Sequence, residues 1–120
     1  MSGDVLDELR SRVERLGREP TAANAQDASG AVRSAWAEIY DALLTAGAYP
    51  PDRLDAFARL LDVCADAMSK VRPDRYTVRH LQRLGFYRQL LHTAQTRGVA
   101  AVDSDLGRAL ASLRHTGDFQ

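Results

Sequence analysis

Four prolines, at positions 20, 50, 51 and 73, divide this 120-residue chain into segments that each carry helical periodicity. Proline removes a backbone donor and restricts the residue before it, so helices end or begin at these points. Isoleucine occurs once, at Ile39, while alanine, leucine, arginine and aspartate dominate. With so few β-branched residues the composition favours helix before any pattern is read. Apolar residues make up 45% and charged residues 27%, the balance of a globular domain, and the length suits one core spanning 1–120 rather than two.

Val5, Leu6, Leu9, Val13 and Leu16 recur at helical spacing and predict a first helix over 3–16, capped by Ser2 or Asp4 and stopped by Gly17. Thr21 is a candidate N-cap for a second, alanine-rich helix over 22–47, with Ala25, Ala28, Val32, Ala35, Trp36, Ile39, Tyr40 and Leu43 on its apolar face. Gly30 offers a second starting point for that helix, near Ser29. The Pro50-Pro51 pair starts a third helix, whose apolar side is Leu54, Phe57, Leu60, Leu61, Cys64, Ala65, Met68 and Val71. At about 100° per residue, Asp52, Asp55, Arg59, Asp62 and Asp66 fall together on its other side.

After Pro73 a fourth helix is expected over 74–96, with Tyr76, His80, Leu81, Leu84, Tyr87, Leu91 and Ala94 inward. A last helix is expected over 103–115, where Leu106, Ala109, Leu110 and Leu113 recur. Short connections between helices of this length favour antiparallel neighbours, so the expected fold is an all-α, four- to five-helix antiparallel bundle.

The net charge of zero conceals an asymmetry. Residues 70–97 hold seven basic side chains and one acid, Asp74, while the other residues carry a net charge of −6. Arg75, Arg79 and Arg83 follow one another at i, i+4 and i+8, about 6 Å apart along the helix. With Phe86, Leu90 and Arg97 they are expected to form one outer edge of the fourth helix. Guanidinium groups present a fixed fork of donors to carboxylate or phosphate, and every basic residue except Lys70 is arginine. The same stripe also reads as a solvated face, or as a partner for the acidic side of the third helix within the chain.

Catalytic and metal signatures are sparse. His80, His92 and His115 have none of the local spacings of zinc or diiron ligands, and no glycine-rich phosphate loop occurs. Cys64 lies among apolar residues and reads as a buried small hydrophobe. Gly85, between Leu84 and Phe86, fits the turn of a helix-turn-helix, although Leu81 and His80 fit that motif poorly. No stretch approaches the roughly 20 apolar residues of a membrane span, and the charged first ten residues differ from a secretory leader. Neither cofactor nor metal is implied, and a cytoplasmic location without membrane contact is the expectation.

The leading expectation is a non-catalytic interaction or assembly module, a small subunit or adaptor. It would meet a protein partner or a second copy through Arg75, Arg79, Arg83, Phe86, Leu90 and Arg97. The alternative is a nucleic-acid-binding protein contacting phosphates through the same arginines. A third reading, a ligand-binding or catalytic bundle, would centre on His80 between Tyr76 and Tyr87.

Overall fold

The computed structural model describes residues 4–47 and 49–97. They form four helices with no strand among them: α1 (Val5–Arg18), α2 (Ala22–Ala46), α3 (Pro51–Met68) and α4 (Arg75–Arg97). The expected helix over 103–115 lies outside the described residues.

The helix starts follow local chemistry. Asp4 caps α1 by accepting the Leu6 N–H at 2.9 Å, and Thr21 caps α2 by accepting the Asn24 N–H at 3.2 Å. Pro51 occupies the first turn of α3, where its missing N–H costs nothing. Asp74 accepts the Thr77 N–H at 2.8 Å and starts α4.

Two glycines behave differently at helix ends. Gly47 adopts φ 74°, the left-handed conformation that closes α2. Gly17 stays right-handed, so α1 runs past the expected stop to Arg18 and closes with the Glu19 N–H on the Arg15 carbonyl at 2.9 Å. Gly30 does not interrupt α2, which is continuous from Ala22.

The four helices pack as a bundle. α1 lies against α2 and α3, and α4 lies against α3 and α2. Leu6, Leu9, Val13 and Leu16 form the buried stripe of α1, as their spacing predicts. The expected apolar residues of α3 are buried too, apart from Ala65, which is half-buried. Aromatic rings join the other three helices. Trp36 of α2 stacks on Phe57 of α3 at 6.3 Å and 16°, and meets Tyr87 of α4 at 5.6 Å and 44°.

A candidate interaction face on the fourth helix

α4 is the helix the charge pattern singles out, and it contains five arginines and no acid. It is unbroken through Gly85, which removes the turn a helix-turn-helix would need there. Its arginines do not act as one stripe. Residues at i+4 advance by about 40° around a helix, so Arg75, Arg79 and Arg83 drift by about 80° in total. Arg75 and Arg79 remain exposed, whereas Arg83 is only 6% exposed and turns toward α2, with Nη1 3.5 Å from Ser29 Oγ.

Leu90 lies near the same angle as Arg83 and is likewise buried, at 3% exposure. The expectation that Arg83 and Leu90 belong to the outer edge is therefore corrected: both lie in the interior side of α4. Phe86 swings back outward and is 39% exposed. Arg97, the last residue of α4, is exposed. Thr93 is buried and turns its hydroxyl onto the Gln89 carbonyl at 3.1 Å, whereas Gln95, Thr96 and Arg97 beyond it are exposed.

The acidic side of α3 does meet α4, but through side chains other than the expected stripe. Arg88 donates to both oxygens of Asp62, at 3.0 and 3.4 Å, and Gln95 Nε2 donates to Asp55 at 2.9 Å. Asp66 pairs instead with Lys70 on its own segment, at 3.7 Å. These contacts are exposed, where an ion pair contributes about 0–1 kcal/mol. Their main consequence is register. Asp55 thus meets Gln95 and Asp62 meets Arg88, and these contacts set where α4 sits along α3.

Tyr76, which the periodicity places inward, is 55% exposed. Its ring lies 5.0 Å beneath the Arg75 guanidinium, and its hydroxyl accepts from Arg75 Nη2 at 3.0 Å. Val78 is also exposed. Neither Tyr76 nor Val78 was among the expected contact residues, and neither was Arg88 among the residues expected to pair. The absence of any acid from α4 was the available signal; which residues stay exposed depended on the packing of α4 against α2 and α3.

The Tyr76, His80 and Tyr87 constellation is not assembled. Tyr76 faces outward, His80 is half-buried, and Tyr87 packs on Trp36 with its phenol pushed above its ordinary value by burial. Among the described residues no three His, Cys, Asp or Glu side chains are grouped to hold a metal ion. An open groove between α1 and α2 is lined by Val5, Glu8, Arg12, Asp27 and Gly30, among others. Arg12 pairs there with Glu8 at 2.6 Å and Asp27 at 3.7 Å, and Arg33 also lines the groove, so two guanidinium groups match two carboxylates.

Cys64 is fully buried, and burial pushes its thiol up to about 12. It should therefore resist a thiol reagent at pH 8 in the folded protein and react fully in denaturant; rapid native labelling would contradict its burial. Because the unfolded thiol ionises near 9.0, the unfolded chain loses this proton first, and stability should decline as pH rises from there toward 12.

No family model, curated protein or solved structure matches the chain. Among the described residues no helix is long and apolar enough to cross a membrane.

Proposed function

We propose that this protein is a non-catalytic helical interaction module that contacts another protein through the outer face of α4. One observation carries this reading: Tyr76, Val78 and Phe86 are three of the four large hydrophobics exposed among the described residues, and all three lie on the acid-free helix. Exposed aromatic rings beside arginines are the composition of protein interfaces rather than of ordinary surface. In this reading Phe86 supplies buried area at the contact. Arg75, Arg79 and Arg97 sit around it and steer encounter by charge. Arg83 and Leu90 support the face by holding α4 to the bundle and do not touch the partner.

The helices in this reading alternate in direction along the chain. Support comes from Asp55 and Asp62 meeting Gln95 and Arg88 in reverse order, and from Asp4 at the start of α1 meeting Arg53 at the start of α3.

The test compares immobilised wild-type protein with Phe86→Glu and Arg79→Glu as baits. Proteins retained by the wild type should be lost on Phe86→Glu, with affinity reduced roughly 30-fold or more, the scale of an interface hot spot. Equal retention by all three baits would reject this face. Labelled duplex DNA, single-stranded DNA and RNA form a second arm at about 50 and 200 mM salt. Salt-sensitive binding lost in an Arg75→Glu/Arg79→Glu variant would replace the protein partner with nucleic acid. The burial of Arg83 leaves fewer arginines for that role than the sequence promised.

A further inference from the structure

The chemistry of the segment that meets the α4 face follows from the order of residues along it, granting the reading above. At about 100° per residue, Arg75, Arg79 and Phe86 fall within about 40° of one another and share one stripe of α4. All three are exposed, and no acid interrupts the helix. Lys70 and Arg72, in the turn from α3, add two more exposed cations just before it. Cations therefore crowd the start of α4, and an aromatic ring follows about 10 Å beyond Arg79.

The described part of the chain does not neutralise this corner. Neither Arg72 nor Arg75 pairs with a carboxylate among the described residues. Asp74, the acid between them, is committed to the helix start: it accepts the Thr77 N–H at 2.8 Å, and that bond holds its carboxyl below the usual range. The corner is also held in place. The Arg75 guanidinium lies over the Tyr76 ring at 5.0 Å, with Nη2 donating to the Tyr76 hydroxyl at 3.0 Å. Val71, between Lys70 and Arg72, is buried and donates its N–H to the Met68 carbonyl at 3.0 Å. A guanidinium fixed in advance loses less freedom when a carboxylate arrives.

We propose that the occupant is an acidic segment of the partner protein, with its carboxylates grouped against Arg72, Arg75 and Arg79 and its apolar side chains beginning about 10 Å further on, against Phe86. Carboxylates match the guanidinium fork with two parallel hydrogen bonds, which orients the segment as well as attracting it. Phe86 then supplies the apolar contact. A basic segment would be repelled from the start of α4, and a wholly apolar one would leave these cations covered without a counter-charge. The order of charge and ring along the stripe also gives the segment one direction.

A nucleic acid fits the same surface less well. Its phosphates continue past any one contact, whereas Arg83, the next arginine in the series, is buried and the stripe turns aromatic. On the α3 side stand exposed carboxylates, Asp66 at 3.7 Å from Lys70 and Asp62 at 3.0 Å from Arg88, which repel a polyanion that runs on. A short acidic segment ends before it reaches them.

Fluorescence anisotropy with labelled probes at about 50 and 200 mM salt tests this. The first probe is an alanine-based helical peptide with glutamates in one half and leucines in the other. The second replaces its glutamates with lysines, the third alternates glutamate and leucine, and the fourth is oligouridylate of equal charge. The grouped glutamate peptide should bind, more weakly at the higher salt, and the lysine peptide should not. Arg72→Gln/Arg75→Gln should weaken binding roughly tenfold with helix content unchanged. Phe86→Ala, and the alternating peptide on the wild type, should each weaken it roughly threefold or more. No binding of the grouped peptide, equal binding of the lysine peptide, or tighter binding of oligouridylate overturns the proposal. If the grouped peptide fails while the Phe86→Glu bait still loses its retained proteins, the face stands and the acidic partner alone is rejected.

Discussion

Phe57→Ala should lower the free energy of unfolding by about 3–5 kcal/mol, the cost of removing a large aromatic side chain from a core. Phe57 has no exposed surface and lies on α3 against the Trp36 ring of α2. Tyr87 packs on the same indole from α4, so Trp36 holds three helices together and Phe57 is one of its two aromatic supports. Removing the phenyl ring loses its transfer from water and leaves a cavity that neighbouring helices can close only by shifting. Phe57→Leu keeps most of the volume and should cost under about 1.5 kcal/mol.

A urea titration read by tryptophan fluorescence measures both variants, because Trp36 is the only tryptophan and is buried. A loss below about 1 kcal/mol in Phe57→Ala would show that this site is not a packed core. Trp36 itself is a poorer probe. Its indole N–H is buried without a hydrogen-bond partner among the described residues. Replacing it would remove both the fluorophore and the ring on which Phe57 and Tyr87 pack.

Asp4→Ala should destabilise by about 1.5–3 kcal/mol, combining a lost helix cap with a lost charge-assisted pair. One carboxylate does both tasks. It accepts the Leu6 N–H at the start of α1, and its two oxygens take Arg53 Nη1 and Nη2 of α3 at 2.6 Å each. Arg53 also donates from Nε to Tyr49 Oη at 3.0 Å, and the Tyr49 hydroxyl donates to Glu38 at 2.9 Å. The cluster thereby connects α1, α2, α3 and the segment before α3. Asp4 and Arg53 are each about a third exposed, so solvent screens their attraction and the ion-pair share stays near 1 kcal/mol. Asn caps a helix about as well as Asp, so Asp4→Asn should retain the cap and lose only that share.

The pH dependence separates the two tasks further. Hydrogen bonds from Arg53, and then from the Leu6 N–H, hold the Asp4 carboxyl down at about 2 instead of 3.8. As pH falls, the unfolded chain takes up this proton first. The contribution is therefore present above about pH 4 and lost by about pH 2. Wild-type stability should fall more steeply across that interval than that of Asp4→Asn, as measured by urea midpoints at successive pH values. Parallel acid limbs for the two proteins would show that the pair contributes nothing.

Much of the fold was legible because helix boundaries are local chemistry. Asp4, Thr21 and Pro51 act on groups within a few residues of themselves, so reading the chain in order is enough to find them. The core stripe of α1 follows from spacing for the same reason, since a short helix with one apolar stripe has one way to bury it. Gly17 shows where this reading ends. A glycine stops a helix when its φ turns positive, and residue identity permits that without requiring it.

The candidate face was half legible. Arg75, Arg79, Phe86 and Arg97 lie on the exposed side as spacing suggests, while Arg83, Leu90 and Tyr76 do not follow the expectation. α4 has polar and apolar residues at most angles, and its sequence alone leaves its rotation about its own axis weakly determined. A drift of about 40° for each i+4 step then decides whether an arginine is outside or inside.

By itself the chain determined the helical fold class, the starts of its helices and an acid-free helix set against a mainly acidic one. Tertiary structure alone decided which side of α4 remains open and which of its side chains meet α3. Those choices depend on pairs such as Asp62 with Arg88 and Ser29 with Arg83, which lie 26 and 54 residues apart. No local periodicity can encode such pairs, because the packing of α4 against two other helices selects its rotation and register at once.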